Sequence, residues 1–232
     1  MKKLTIAIFM LIGTISMASA ELGVNIGISA QLGTMDSKAT EKSTDAAVAD
    51  ESETAEALFA SGSYFIEKEL GFLPGPLKRL TIGYDNMAHD LNLGAASNVR
   101  QGRLGTVGQL QTGVNATFTN TVEATVDGFE TVYLTARITD WLYVKAGNVT
   151  VDVKTTESME VGGSYDNASL DGKIFGLGLH KEAENGMFMR FEWNSYSIDG
   201  VTLANKGADS KRSVSLADVN GETARLSVGK AF

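Results

Sequence analysis

The sequence predicts an all-β chain folded as an up-and-down antiparallel transmembrane β-barrel of eight strands, with its oily face turned to lipid. Three observations carry the prediction. Apolar and small or polar residues alternate with period two over many segments, the mark of strands with one apolar face. Tight and long connectors alternate along the chain, as in a meander with all its tight turns at one end. Charge is nearly absent from the apolar phase.

The first element precedes the strands. Lys2 and Lys3 are followed by an apolar stretch, Leu4–Met17, and then by Ala18-Ser19-Ala20, a small-x-small site. That layout predicts a secretory signal, residues 1–20, cut between Ala20 and Glu21, and a barrel domain over 21–232. The apolar stretch is shorter than the roughly 20 residues a spanning helix needs. Residue 21 is Glu rather than Cys, so no lipid attachment is predicted there.

The mature chain opens on Leu22, Val24, Ile26, Ile28, Ala30 and Leu32, separated by Gly23, Asn25, Gly27, Ser29 and Gln31. Ala57–Lys68 is strand-like, but its facing stays open because Phe59 and Phe65 oppose Leu58, Tyr64 and Ile66. Leu80, Ile82 and Tyr84 alternate with Arg79, Thr81, Gly83 and Asp85. A long alternation covers Thr121–Thr139, with Val122, Ala124, Val126, Val132, Leu134, Ala136 and Ile138 on one face. Leu142, Val144 and Ala146 form the next strand; after Gly147 the apolar phase passes to Val149, Val151 and Val153, which suggests a bulge or an exit from the membrane. Phe175–His180, Met187–Asn194 and Thr223–Phe232 complete the eight. Leu104–Phe118 leaves room for one more hairpin and hence ten strands.

The connectors 71–76, 139–141 and 184–186 are tight, the last with an Asn185-Gly186 pair. Those at about 33–56, 88–120, 154–170 and 199–222 are long and polar. Short turns at the periplasmic end and long extracellular loops are the pattern of outer-membrane barrels.

Charge arbitrates which face is inside. Arg79, Asp85, Glu123, Asp127, Arg137, Lys145, Arg190, Glu192 and Arg225 all fall in the polar phase. An Arg or Lys on the lipid face at the midplane costs roughly 2–4 kcal/mol, so a clean split is expected of a membrane barrel. Two residues break it. Glu130 falls in the apolar phase near the far edge of the band, and Lys230 lies near the last residue, where it can snorkel.

The last strand, Ala224-Arg225-Leu226-Ser227-Val228-Gly229-Lys230-Ala231-Phe232, completes a resemblance. The chain resembles the small eight-stranded outer-membrane barrels of Gram-negative bacteria: the OmpA transmembrane domain, OmpX, OmpW and the opacity-protein adhesins. The resemblance implies that Phe232, with Val228 and Leu226 before it, is read by the barrel-assembly machinery; Lys230 departs from the apolar or aromatic residue usual at its position. It also implies periplasmic chaperones during biogenesis, outer-membrane lipid and lipopolysaccharide as surroundings, a host or phage ligand for the loops, and a monomer.

Composition narrows the chemistry. There is no cysteine, which removes thiolate chemistry and disulfides, and the only histidines are His89 and His180. The net charge of −8 and a sequence pI near 4.8 speak against nucleic acid. Some barrels of this size act on lipid A, but His180 has no Ser or carboxylate at a telling spacing. No enzyme activity, cofactor or metal is therefore expected. An eight-stranded interior is just wide enough for side chains to fill it. The inward charges Arg79, Asp85, Arg137, Lys145, Arg190, Glu192 and Arg225 are read as an ion-pair network; inward Gly27, Gly83, Gly176, Gly178 and Gly229 leave space for water and minor leakage. The acid-rich loop 34–56 is read as a solvated tip. Two functions follow: a surface-interaction scaffold, or a narrow porin-like conduit for small solutes.

Overall fold

The computed structural model describes residues 23–43, 51–87, 89–103, 115–159, 164–206 and 212–232. The signal segment, with Ala20 and Glu21, lies outside them, as does 104–114. Eleven strands are described: β1 (Val24–Ser43), β2 (Glu51–Glu69), β3 (Leu80–Met87), β4 (Leu91–Arg103), β5 (Asn115–Arg137), β6 (Leu142–Met159), β7 (Ala168–Glu182), β8 (Met187–Ile198), β9 (Val201–Ala204), β10 (Arg212–Leu216) and β11 (Val219–Ala231). Eight of them, β1, β2, β3, β5, β6, β7, β8 and β11, are the staves of a closed antiparallel barrel sealed by β11 against β1. The seam runs from Asn25↔Ala231 to Asp36↔Asn220.

The other three strands are not extra staves. β4 pairs with β5 beyond the end of β3, and β10 pairs with β1 beyond the end of β11, with β9 beside it. They stand above the barrel, together with the far ends of β1, β2, β5 and β6. The connectors expected as long loops are therefore largely hydrogen-bonded hairpins. Alternation of polarity is demanded only where one strand face meets lipid; the ladder itself continues after that demand ends.

The register sets the geometry. From Tyr84, paired residues lead through Val132, Asn148, Lys173, Ser197, Asn220 and Asp36 to Glu56 on β2. Tyr84 itself pairs with Ile66. The path returns ten residues away, from Ile66 to Glu56, which is the shear of the barrel. Eight strands with that stagger tilt by ~40° and enclose a lumen that side chains can fill.

The faces are inverted relative to a soluble protein. Ile26, Ile28 and Leu32 on β1, Leu134 on β5, Phe175, Leu177 and Leu179 on β7, Met187, Met189, Phe191 and Trp193 on β8, and Leu226 and Val228 on β11 all point outward and are exposed. Lys173 and Lys181 bracket the apolar stretch on β7. At ~3.3 Å per residue and ~40° tilt their separation corresponds to ~20 Å of height, close to the thickness of an outer-membrane apolar band. Glu130, Asn148 and Ser195 mark the same upper edge on their strands, as expected for Glu130. At the tight-turn end Phe72, Trp141 and Phe232 are exposed, and Lys230 lies 5.6 Å from the Phe232 ring centre.

Two local readings change. The long alternation across Thr121–Thr139 is broken by a bulge between Val126 and Gly128, which turns Val126 inward and puts Asp127 outside. β6, by contrast, has no register shift: Tyr143, Lys145, Val149 and Val151 all face in. Of the two readings of Gly147, the bulge is absent and the exit from the membrane agrees with Asn148 at the edge of the belt: what changes is the chemistry of the inner face, not its phase. At the Asn185-Gly186 turn, Gly186 donates to the Ala183 carbonyl at 2.9 Å with φ of 79°, while among the described residues no non-glycine residue has positive φ. This is a type I turn followed by a left-handed glycine, rather than a two-residue I′ turn.

A closed barrel resists SDS until heated, so unboiled protein should run apart from boiled protein on a gel. Leu134→Arg should lower stability in liposomes by roughly 2–4 kcal/mol, and Ser197→Arg, outward but above the belt, by about 0–1 kcal/mol. Urea unfolding measures both; equal losses would mean that the belt is misplaced.

Candidate functional site

The lumen is the first candidate site, and it is filled in two tiers. The lower tier is charged. Arg190 on β8 holds Glu67 on β2 through two hydrogen bonds, at 2.5 and 2.8 Å. Tyr133 donates to the same carboxylate at 2.8 Å and Asn25 at 3.1 Å. Arg190 Nε also donates to His180 Nδ1 at 3.0 Å. A second chain runs Lys145–Glu192–Arg225–Asp85: Lys145 to Glu192 at 3.3 Å, Arg225 to Glu192 at 3.4 Å, Arg225 directly to Asp85, and Ser63 to Asp85 at 3.0 Å. Lys145 lies 4.3 Å from the centre of the Tyr133 ring, which links the two chains. Three carboxylates thus face three cations in the middle of the barrel. All six are buried.

Aromatic rings fill what the glycines leave. Gly27 is paired across the sheet with Phe65, Gly83 with Tyr133, Gly178 with Tyr143 and Gly229 with Phe188. In each pair a Cβ on the glycine would run into the ring. The space expected for water is therefore occupied, and each ring lies over the glycine of the neighbouring strand in the manner of aromatic rescue. Phe65 sits between Arg190 and Arg225, whose guanidinium carbons lie 5.7 and 5.8 Å from its centre.

The upper tier is apolar. Met87, Val126, Phe129, Val149, Val151, Leu170, Ile174, Tyr196 and Ile198 pack as one buried cluster, with Val149 and Ile174 almost fully enclosed. Outside this tier the wall is polar. Asp171 accepts from Thr150 at 3.2 Å, and Lys154 pairs with Asp127 at 2.5 Å, a hydrogen bond that raises the Lys154 pKa. The barrel thus turns right side out above the lipid.

An uncharged apolar belt around a core of ion pairs is stable only where lipid surrounds it. The fold is that of an outer-membrane β-barrel.

Of the inward charges expected from the sequence, Asp85, Lys145, Arg190, Glu192 and Arg225 meet in the lower tier. Arg137 lies at its mouth, half-exposed, paired with Glu69 at 2.5 Å. Arg79 is outside the network and donates to the Ile138 carbonyl at 3.1 Å across the turn end. Its place as the last residue of the Gly75–Arg79 3-10 turn, before β3 begins at Leu80, frees it from the strand's alternation. Asp127 is outside for the reason given by the bulge. The sequence reading missed Glu67, because the facing of Ala57–Lys68 was open. Charge balance pointed to it: five expected inward cations had too few acids near them. Leu226, Val228 and Phe232 lie on the outer face of the closing seam, where the Phe232 N–H donates to the Val24 carbonyl at 2.9 Å.

His180 is committed to Arg190, and its Nε2 lies 3.4 Å from Glu182. It borders a cavity of about 300 Å³ at the tight-turn mouth, lined also by Arg137, Asp140, Trp141, Lys181 and Glu182. His89 is exposed between β3 and β4. Among the described residues no group of three His, Asp or Glu converges as a metal site, and no helix is long and apolar enough to cross a membrane.

No family model matches the sequence, and no curated protein matches it. Solved structures do resemble the fold. The outer membrane protein OprG from Pseudomonas aeruginosa has 10% identity over 90% of this chain and 96% of its own, with a TM-score of 0.46. The outer membrane protease OmpT from Escherichia coli has 11% identity over 95% and 100%, with a TM-score of 0.45. Ail, the attachment invasion locus protein of Yersinia pestis, has 12% identity over 89% and 99%, with a TM-score of 0.35; it was solved with the heparin analogue sucrose octasulfate.

Glu67→Gln would leave Arg190 buried with a neutral partner, and breaking such a pair costs about 3–5 kcal/mol. Arg79→Gln, which removes one exposed bond to a carbonyl, should cost about 1 kcal/mol. Unfolding from detergent or liposomes compares the two. Similar losses would mean that the lower tier does not hold the barrel together.

Proposed function

We propose that this chain is an outer-membrane surface protein whose barrel is a closed scaffold and whose long hairpins, outside the cell, make its interactions. The filling of the lumen carries this reading. A conduit needs a continuous polar path. Here a solute would have to part Glu67 from Arg190 and Asp85 from Arg225, pass four aromatic rings and then cross a packed apolar tier. The porin-like alternative would require both tiers to move.

The same reading assigns no enzymatic step to the chain: His180 Nδ1 accepts from Arg190, and the residues lining the cavity it borders include no hydroxyl nucleophile. Its surroundings are outer-membrane lipid and lipopolysaccharide, met by the belt and the polar wall above it. The barrel-assembly machinery reads the strand ending at Phe232, after periplasmic chaperones have carried the chain. The signal is cut after Ala20, so the mature protein begins at Glu21.

In planar bilayers the purified protein should give no discrete conductance steps; steady single-channel currents would favour the conduit. On intact cells, cysteines placed at Ser52 or Asp218 should label with an impermeant thiol reagent, and one at Asn185 should not. The reverse pattern would put the hairpins in the periplasm.

A further inference from the structure

The two edges of the apolar belt differ in charge. Above it the outward faces of β5, β6 and β7 carry Asp127, Glu130, Asp152 and Asp171 against Lys154 and Lys173. At the lower edge the outward faces carry Lys68 on β2, Lys181 on β7 and Lys230 on β11, and among the described residues no acid. The acids of this end are placed elsewhere. Glu69 and Glu182 turn to the lumen mouth, against Arg137 and His180, and Asp140 and Glu184 lie in the turns beneath.

The shear of the barrel brings Lys181 and Lys230 to one level. The rung through Lys181 passes Met189 on β8 and reaches Val228 on β11. A rung climbs ten residues over eight staves, so it rises by about two and a half residues across these two. Lys230 lies two residues below Val228. The two lysines therefore stand at nearly the same height, ~12 Å apart at ~4.8 Å per strand and ~3.3 Å per residue. Exposed Met187 and Met189 lie between them on β8. Among the described residues neither lysine forms an ion pair, and both are exposed. The Phe232 ring, whose centre is 5.6 Å from Lys230 Nζ, holds that ammonium at the rim.

We propose that Lys181 and Lys230, with β8 between them, bind the phosphate of an anionic phospholipid and prefer it to a zwitterionic one. A zwitterionic headgroup brings its own cation, which competes with the lysines for the phosphate; an anionic headgroup leaves that charge uncompensated. From a phosphate at this level the acyl chains run up along Met189 and Phe191, between Leu179 on β7 and Leu226 on β11, all four exposed. The flexible methionine side chains adapt to either chain. This use accounts for a lysine where the family resemblance calls for an apolar or aromatic residue. The inference deepens the surface-scaffold reading and rests on it only for the leaflet concerned, the periplasmic one. Lipid preference is read on purified protein and sidedness on cells, so either can fail without the other.

The probes are phosphatidylglycerol and phosphatidylcholine with identical chains, added in equal amounts to the full chain in neutral detergent. Native mass spectrometry counts the lipid retained, after unboiled gels have shown that each variant is folded. The wild type should retain phosphatidylglycerol at least fivefold in preference, the gain of about one lysine beside an anionic headgroup. Lys181→Gln and Lys230→Gln should each lower the preference several-fold, and the double variant should bring it near one. Replacing both by Arg should keep it, as should Lys173→Gln at the upper edge. Equal retention of the two lipids by the wild type would overturn the proposal. So would a preference that survives in the double Gln variant, or one that is lost in Lys173→Gln. Displacement by millimolar glycerol phosphate would make this a site for free phosphate and overturn it as well. Lys181→Gln lies far from the closing strand, so the test stands even if Lys230→Gln fails to fold.

Discussion

Lipid offers no hydrogen-bond partner, and the β1–β11 seam is the feature on which everything else in this structure depends. An unpaired main-chain group in hydrocarbon costs several kcal/mol, so a strand can enter the bilayer only if both its edges are occupied. The chain meets that requirement by joining its last strand to its first. Closure then dictates a narrow interior, because eight staves with a stagger of ten residues leave room for side chains and little more. It also dictates the split of residue types: whatever faces out must be apolar over the belt, and whatever polar residue the strands carry must face in.

A narrow polar interior raises its own difficulty, since each buried charge must find a partner. The lower tier resolves it with two linked chains of ion pairs rather than isolated bridges. Glu67 takes two bonds from Arg190 and further ones from Tyr133 and Asn25, so its lone pairs are well occupied. The glycines belong to the same solution. A ring on one strand needs a neighbour without a side chain if it is to fold over the inner wall, and four direct cross-strand Gly–aromatic pairs supply that space. The rings in turn cover the guanidinium groups; Phe188 lies 4.5 Å from the Arg190 guanidinium carbon. Packing and electrostatics are coupled through these contacts.

Much of this was legible in the sequence, for a reason rooted in the bilayer. Period two is enforced wherever lipid touches one face, so the eight staves, their polarity and the inward set Asp85, Lys145, Arg190, Glu192 and Arg225 could be read directly. Legibility ends where lipid does. Above Glu130 the wall is water-exposed and the interior is apolar, so the same alternation persists with its meaning reversed. Val149 and Val151 therefore looked like a change of phase although β6 runs straight. The hairpin ends of β1 and β2 looked like loop because neither face there is bound to be apolar. Glu67 escaped because Phe59, Phe65 and Leu58 made both faces of β2 look oily. Only the closed barrel shows that Phe65 is a lumen ring over Gly27 and that Leu58 stands outside.

The reversal of the wall also explains how the two ends of the barrel differ. Below, the barrel is held by lipid outside and ion pairs inside, so it depends on the membrane. Above, an apolar cluster inside and Asp127, Lys154, Thr150 and Asp171 outside obey the rules of a water-soluble protein. Hydrophobic burial in that upper cluster requires no lipid, and it caps the charged tier against water from outside. A rigid collar of this kind lets the hairpins rise from a fixed base. Freed from the bilayer's demand for paired edges, the wall can open there, and among the described residues it does so along β2 beyond its last pair with β3, Ser63↔Met87.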